Sequence, residues 1–117
     1  MAVSDPGENH RVFESFANEG NVEGLISCYT EDAIFVAVRG QYLKGHWEIR
    51  PVLQAMVDSG MQIRLELIEL IQHGDIALER ARCTIEGSDS EPNSSTVVLQ
   101  RGSDARWRML IDDPGLG

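Results

Sequence analysis

The residues best suited to chemistry lie in the second half of this 117-residue chain. Arg80, Arg82, Arg101, Arg106 and Arg108 supply every base after residue 75, and Lys44 is the only lysine anywhere. A guanidinium offers a planar fork of donors that suits carboxylate or phosphate groups better than an ammonium does. Glu69 and Asp112 are the acids placed to work beside these arginines as a general acid or base. Other chemistries find no support. His10, His46 and His73 are isolated, and without His-x-His or Cys-x-x-Cys no metal site is expected. No glycine-rich phosphate loop or nucleophile elbow occurs, and no cofactor is expected. Cys28 and Cys83 have no histidine nearby in sequence to activate them and read as small buried hydrophobes.

Composition narrows the field further. With 19 Asp+Glu against 10 Lys+Arg, the net charge of −9 argues against a nucleic-acid partner, which demands a basic footprint. Residues 1–32 hold seven acids and one base, Arg11, consistent with a solvated helical face. Hydrophobic residues at 42% and charged residues at 25% describe an ordinary globular mix. No apolar run reaches the roughly 18 residues of a membrane span. The opening residues lack the basic and apolar regions of a secretory signal, so a cytoplasmic protein with reduced thiols is expected. The Asn93-Ser94-Ser95 sequon is then a chance match.

The elements that must position these residues follow from periodicity. After a tail over 1–7, one domain is expected over 8–117. Val12, Phe13 and Phe16 share a helical face over 8–18, ended by Gly20. Asn21 caps a second helix to about Thr30, and residues 33–38 read as a buried strand. Gly40 and Gly45 bracket a turn before a third helix over 46–59, in which Pro51 interrupts the first turns. After Gly60 the period becomes two. Strands are expected over 63–71, 76–86, 96–101 and 106–112, with Gly74-Asp75 as a two-residue hairpin turn. That turn sets Glu69 opposite Arg80 and Leu67 opposite Arg82. The plan is α+β.

This order of elements resembles the NTF2-like superfamily, also called SnoaL-like or ketosteroid-isomerase-like. The stretches that carry the resemblance are Asn18-Glu19-Gly20-Asn21, Tyr29-Thr30-Glu31-Asp32-Ala33, Lys44-Gly45, His73-Gly74-Asp75-Ile76-Ala77, and Trp107-Arg108 leading to Asp112-Asp113-Pro114. The resemblance implies a curved antiparallel sheet wrapped around three helices into an open cone, with a ligand pocket inside. It also implies a homodimer through the outer sheet face. It does not fix an activity, because this scaffold carries many. The tyrosine, base and protonated acid of ketosteroid isomerase fall on Phe13, Ala37 and Val97, which can neither abstract a proton nor donate a hydrogen bond. Steroid isomerisation by that route is not expected.

The face of the hairpin with the denser apolar run is expected to point into the cone. It carries Leu67, Glu69, Arg80 and Arg82, and the pocket is completed by Phe13, Phe16, Phe35, Ala37, Trp47, Val97, Leu99, Arg101, Arg108, Leu110 and Asp112. The opposite face, with Ile68, Leu70, Ala77, Glu79, Ala81, Cys83 and Ile85, is the expected dimer contact. A β-bulge near Glu66–Ile68 would reverse part of this assignment. Two readings stay open. In one, the arginines clamp a polar or anionic metabolite for isomerase-, cyclase- or dehydratase-type chemistry. In the other, Glu69–Arg80 and Arg101–Asp112 are structural ion pairs inside a non-catalytic dimerisation module.

Overall fold

The computed structural model describes residues 2–38 and 40–115; Met1, Leu116 and Gly117, the outermost residues of the expected tail and domain, lie outside the described residues. Three helices, α1 (Asn9–Glu19), α2 (Val22–Ser27) and α3 (Gly45–Asp58), cover one face of a six-stranded curved sheet. Its strands are β1 (Tyr29–Val38), β2 (Gln41–Lys44), β3 (Ile63–His73), β4 (Ile76–Ile85), β5 (Asn93–Arg101) and β6 (Trp107–Asp113), in spatial order β2-β1-β6-β5-β4-β3. Every pairing is antiparallel except β1 with β6. The expected α+β cone is the observed fold.

Local chemistry explains the boundaries. Gly20 ends α1 in the left-handed region at φ 74°, which costs a glycine little. The Asn21 side chain then accepts a hydrogen bond from the Gly24 backbone N–H at 2.9 Å and starts α2. α2 is shorter than expected, because Tyr29 and Thr30 already belong to β1. β2 occupies the stretch expected as a turn. Segment 2–8 does not hang free as a tail: Ala2, Val3 and Pro6 are buried, and Val3 bridges to Trp107.

The helices are held close to the sheet. Gly24 sits so near Phe16 of α1 that a Cβ there would lie 2.5 Å from the ring. Asn18 of α1 pairs with the Ile63 backbone in both directions, at 2.9 and 2.8 Å. Glu14 accepts from the Leu65 N–H at 2.6 Å. Side chains of α1 thereby satisfy backbone groups along the edge strand β3, an otherwise unpaired row.

The phase of the hairpin departs from expectation. Pairing from the turn runs as predicted to Glu69 opposite Arg80, but Leu67 then faces Ala81 and Glu66 faces Arg82. Ile68 is the extra residue of a β-bulge. Leu65 and Leu67 therefore point toward the helices, and so does Leu70 on the other side of the bulge, whereas Glu69 and Ile71 point to water. Along β4 the buried positions are Ala77, Glu79 and Ala81, and Arg80 and Arg82 are exposed. The physical reason is cost. Two guanidinium groups, which stay ionised, would lose their hydration inside the cone, whereas Ala77 and Ala81 lose none and the Glu79 carboxyl can take a proton.

Candidate functional site

Between the helices and the sheet lies a cavity of about 220 Å³. Room for it exists because β4 and β5 present small side chains, Ala81, Cys83 and Ser95, beneath Phe13 of α1 and Met56 of α3. Exposure along β4 falls from Ile85 at 37% to Glu79 at 2%, so the cavity opens near Ile85 and Asn93 and deepens toward Glu79.

Of the residues expected around a pocket, Phe13, Phe35, Val97 and Asp112 line this cavity. Leu99 is fully buried in the core beside it; Phe16, Ala37, Leu67 and Leu110 are half-buried outside the lining. Trp47 is 90% exposed at the start of α3. The arginines are elsewhere. Arg80 binds Glu69 at 2.7 Å and Arg82 binds Glu66 at 2.9 Å on the outer sheet face. Arg108 forks onto Asp104 at 3.0 and 2.7 Å. Arg101 donates to Asp75 at 2.8 Å and stacks over Trp107, not toward Asp112. Glu69 is thus an exposed ion-pair member and not a candidate acid for the cavity.

The expected dimer face is corrected in the same way. Leu70, Ala77, Glu79, Ala81 and Cys83 face inward and Ile85 lines the cavity mouth; only Ile68, at the bulge, lies on the exterior. Glu79, assigned from sequence to a subunit contact, is the acid at the cavity floor.

Glu79, Val97, Asp112 and Phe35 are consecutive partners across β4, β5, β6 and β1, so their side chains share one row on the inner face. Burial pushes Asp112 up to about 6, while a hydrogen bond from the Tyr29 hydroxyl at 2.6 Å pulls the other way. Burial raises Glu79 more, to about 7; hydrogen bonds from the Asn9 side chain and the His10 N–H oppose it, and the charge of Asp112 adds to it. His10 is held below its ordinary value, chiefly by burial, which favours the neutral ring. Glu79 Oε1 and His10 Nδ1 are buried without a hydrogen-bond partner, and both residues line the cavity. Two carboxyls poised near neutrality in an apolar enclosure can exchange protons with a bound molecule. Burial pushes the Cys28 thiol up to about 11 and raises Cys83 also, so neither is an activated nucleophile.

Tyr29, His10 and Asn9 escaped sequence reasoning. Tyr29 fits a helical stripe, and nothing in the spacing of Asn9-His10 ties it to β4. The signal that could have exposed Glu79 is its place between Ala77, Ala81 and Cys83, small residues alternating with charged or larger ones.

Residues 10–110 match the SnoaL-like domain family. Among curated proteins none matches the sequence. Solved structures with this fold are numerous. A candidate calcium/calmodulin-dependent protein kinase type II association domain from Thiobacillus denitrificans superposes with a TM-score of 0.79 at 14% identity, covering 97% of this chain and 98% of that one. A domain of unknown function with a cystatin-like fold from Nostoc punctiforme gives 0.74 at 24% identity, over 93% and 74% of the two chains. A candidate dehydratase of the NTF2-like family from Streptomyces avermitilis gives 0.72 at 19% identity, over 95% and 94%. With its cone, its cavity and this match over most of its length, the chain belongs to the SnoaL-like domain family of the NTF2-like superfamily.

Proposed function

We propose that this protein binds a small, mostly apolar molecule in its cavity and catalyses cofactor-independent proton transfer of the isomerase or dehydratase type. The observation that carries the reading is the pair of partnerless buried atoms, Glu79 Oε1 and His10 Nδ1, beside Asp112 in an otherwise apolar enclosure. A buried polar atom without a partner costs about 1–3 kcal/mol, which a ligand offering a donor would relieve. Asp112, oriented by Tyr29, is the base: it takes a proton from carbon and returns it to another carbon, or to a leaving hydroxyl. Glu79 and His10 hold the substrate's donor group. A candidate dehydratase of the NTF2-like family among the solved structures with this fold is in keeping with this reading.

Size and charge limit the substrate. A cavity of about 220 Å³ is smaller than the roughly 300–1,000 Å³ of drug-sized sites, which disfavours a steroid. With carboxyls inside and the arginines outside, the anionic metabolite expected from sequence is disfavoured too. The rival reading is met in part: Glu69–Arg80 is a strand-to-strand ion pair, but on the outer face, and Arg101 pairs with Asp75 and not with Asp112. Native mass spectrometry of the protein as purified tests the proposal. We expect a retained compound that is lost from Ala81→Phe, whose ring would fill the cavity. In D2O the released compound should gain deuterium with the wild type and not with Asp112→Asn; equal retention by Ala81→Phe, or exchange that ignores Asp112, overturns the reading.

We further propose a homodimer through the outer sheet face, with contacts other than those expected from sequence. Ile71, Leu78, Val98, Ile111 and Ile34 are consecutive cross-strand partners over five strands. This apolar row is exposed or half-buried, with Ile71 at 51% and Ile111 at 39%. The pair Glu69–Arg80 flanks it as a polar rim.

A further inference from the structure

The cavity is one-sided in its polar chemistry. Beside its apolar walls it offers the acids Glu79 and Asp112, the ring of His10 and the amide of Asn9, which already donates to Glu79, with Asn93 and Ser95 nearer the opening. Among the described residues no lysine or arginine lines it. The charged group acting on Glu79 is Asp112 from β6, and the Asn9 side chain and the His10 N–H donate to its carboxyl. None of these is a permanent cation. Arg11, the guanidinium of α1, is exposed and lies 3.7 Å from Glu8, although its charge still acts on the His10 ring. Arg80 stands next to Glu79 in sequence but turns to the opposite face to meet Glu69.

The free atoms at the floor set the requirement. An ionised Glu79 Oε1 only accepts, and a neutral His10 accepts at Nδ1 when its proton sits on Nε2. A carboxylate ligand brings more acceptors and more negative charge. An alcohol brings one neutral donor. An ammonium brings three donors and the missing positive charge, in a setting where charge-assisted hydrogen bonds are about twice as strong as neutral ones. We infer that the cavity takes a small primary amine in its protonated form, with the ammonium seated against Glu79 Oε1 and His10 Nδ1 and the apolar body toward Phe13, Met56 and Met61. This rests on the reading above that the cavity is a ligand site, and not on the catalysis proposed there. Size follows from volume: an apolar cavity of about 150 Å³ takes benzene, so this one takes about nine non-hydrogen atoms.

Binding of such a ligand is linked to a proton. Burial keeps Glu79 about half-protonated near neutrality, and that proton must leave as the ammonium arrives. A simple amine stays charged to about pH 10. Affinity therefore rises with pH over the range in which Glu79 ionises, by about tenfold from pH 6 to pH 8.

The test is calorimetric titration of the intact protein with 2-phenylethylamine, 2-phenylethanol and phenylacetate at both pH values. We expect the amine to bind at least tenfold more tightly than the alcohol at pH 8, phenylacetate not to bind, and the amine alone to show the pH dependence. Glu79→Gln, with its fold checked by circular dichroism, should lose the amine preference and the pH dependence. If the alcohol matches the amine in the wild type, or if Glu79→Gln binds the amine unchanged, the ammonium inference fails while the cavity survives as a ligand site. If none of the three probes binds, both readings fail.

Discussion

The two faces of the sheet treat the same residue type in opposite ways. Glu69 and Glu79 both lie in the β3–β4 hairpin, yet Glu69 meets Arg80 in water whereas Glu79 is 2% exposed with one oxygen unpaired. An exposed pair of this kind contributes about 0–1 kcal/mol. A buried carboxyl without a counter-ion opposes folding once ionised. The contrast teaches that one hairpin can neutralise a carboxylate with a guanidinium in water on its outer face and hold another without a counter-ion on its inner face.

The sharpest way to break that comparison is to neutralise each carboxyl in turn. Burial raises Glu79 from 4.5 to about 7. Its stabilising contribution is therefore fully present below the unfolded value and is lost as pH rises through about 7. Glu79→Gln should stabilise the protein by about 2–3 kcal/mol at pH 8, or about 10 °C in Tm, and by almost nothing at pH 4. Glu69→Gln should change stability by less than about 0.5 kcal/mol at either pH. Equal responses from the two would erase the distinction. Next in size is Gly24→Ala, whose added methyl meets Phe16 at 2.5 Å. It should cost about 2 kcal/mol in urea unfolding by prising α2 away from α1.

Tyr29→Phe sharpens the inner side. Losing a hydrogen bond to a charged group costs about 1.5–3 kcal/mol, so stability should fall by about 1–2 kcal/mol at pH 8. The same loss should move the Asp112 titration upward in carboxyl-carbon NMR, since that hydrogen bond holds the carboxyl down. On the outer side Ile111→Arg should leave the monomer's stability within about 0.5 kcal/mol and convert the proposed dimer to monomer in sedimentation. A wild-type monomer at high concentration would remove the outer face from the dimer proposal.

The cone was legible because its signals are local. Gly20 and Asn21 punctuate the first two helices, and the Gly74-Asp75 turn fixes the hairpin as far as Glu69 and Arg80. The site was not, because it depends on phase. One bulged residue at Ile68 divorces the two halves of β3, and an apolar count cannot choose a face when Leu65, Leu67, Ile68, Leu70 and Ile71 populate both. Charge would have chosen correctly: Arg80 and Arg82 alternate, and a strand cannot turn both into a dry interior at acceptable cost. Tyr29 was hidden differently, since its partner Asp112 is 83 residues away and only the parallel β1–β6 pairing brings them together.

The bulge also bears on how such a domain diversifies. Inserting or deleting one residue in a two-faced ribbon normally turns everything beyond it inside out. With Ile68 absorbing that slip, the rim of the ribbon at Ile63 and Leu65 can drift without re-phasing Glu79. Descendants of this scaffold could therefore acquire new entrances while inheriting an unaltered carboxyl at the cavity floor.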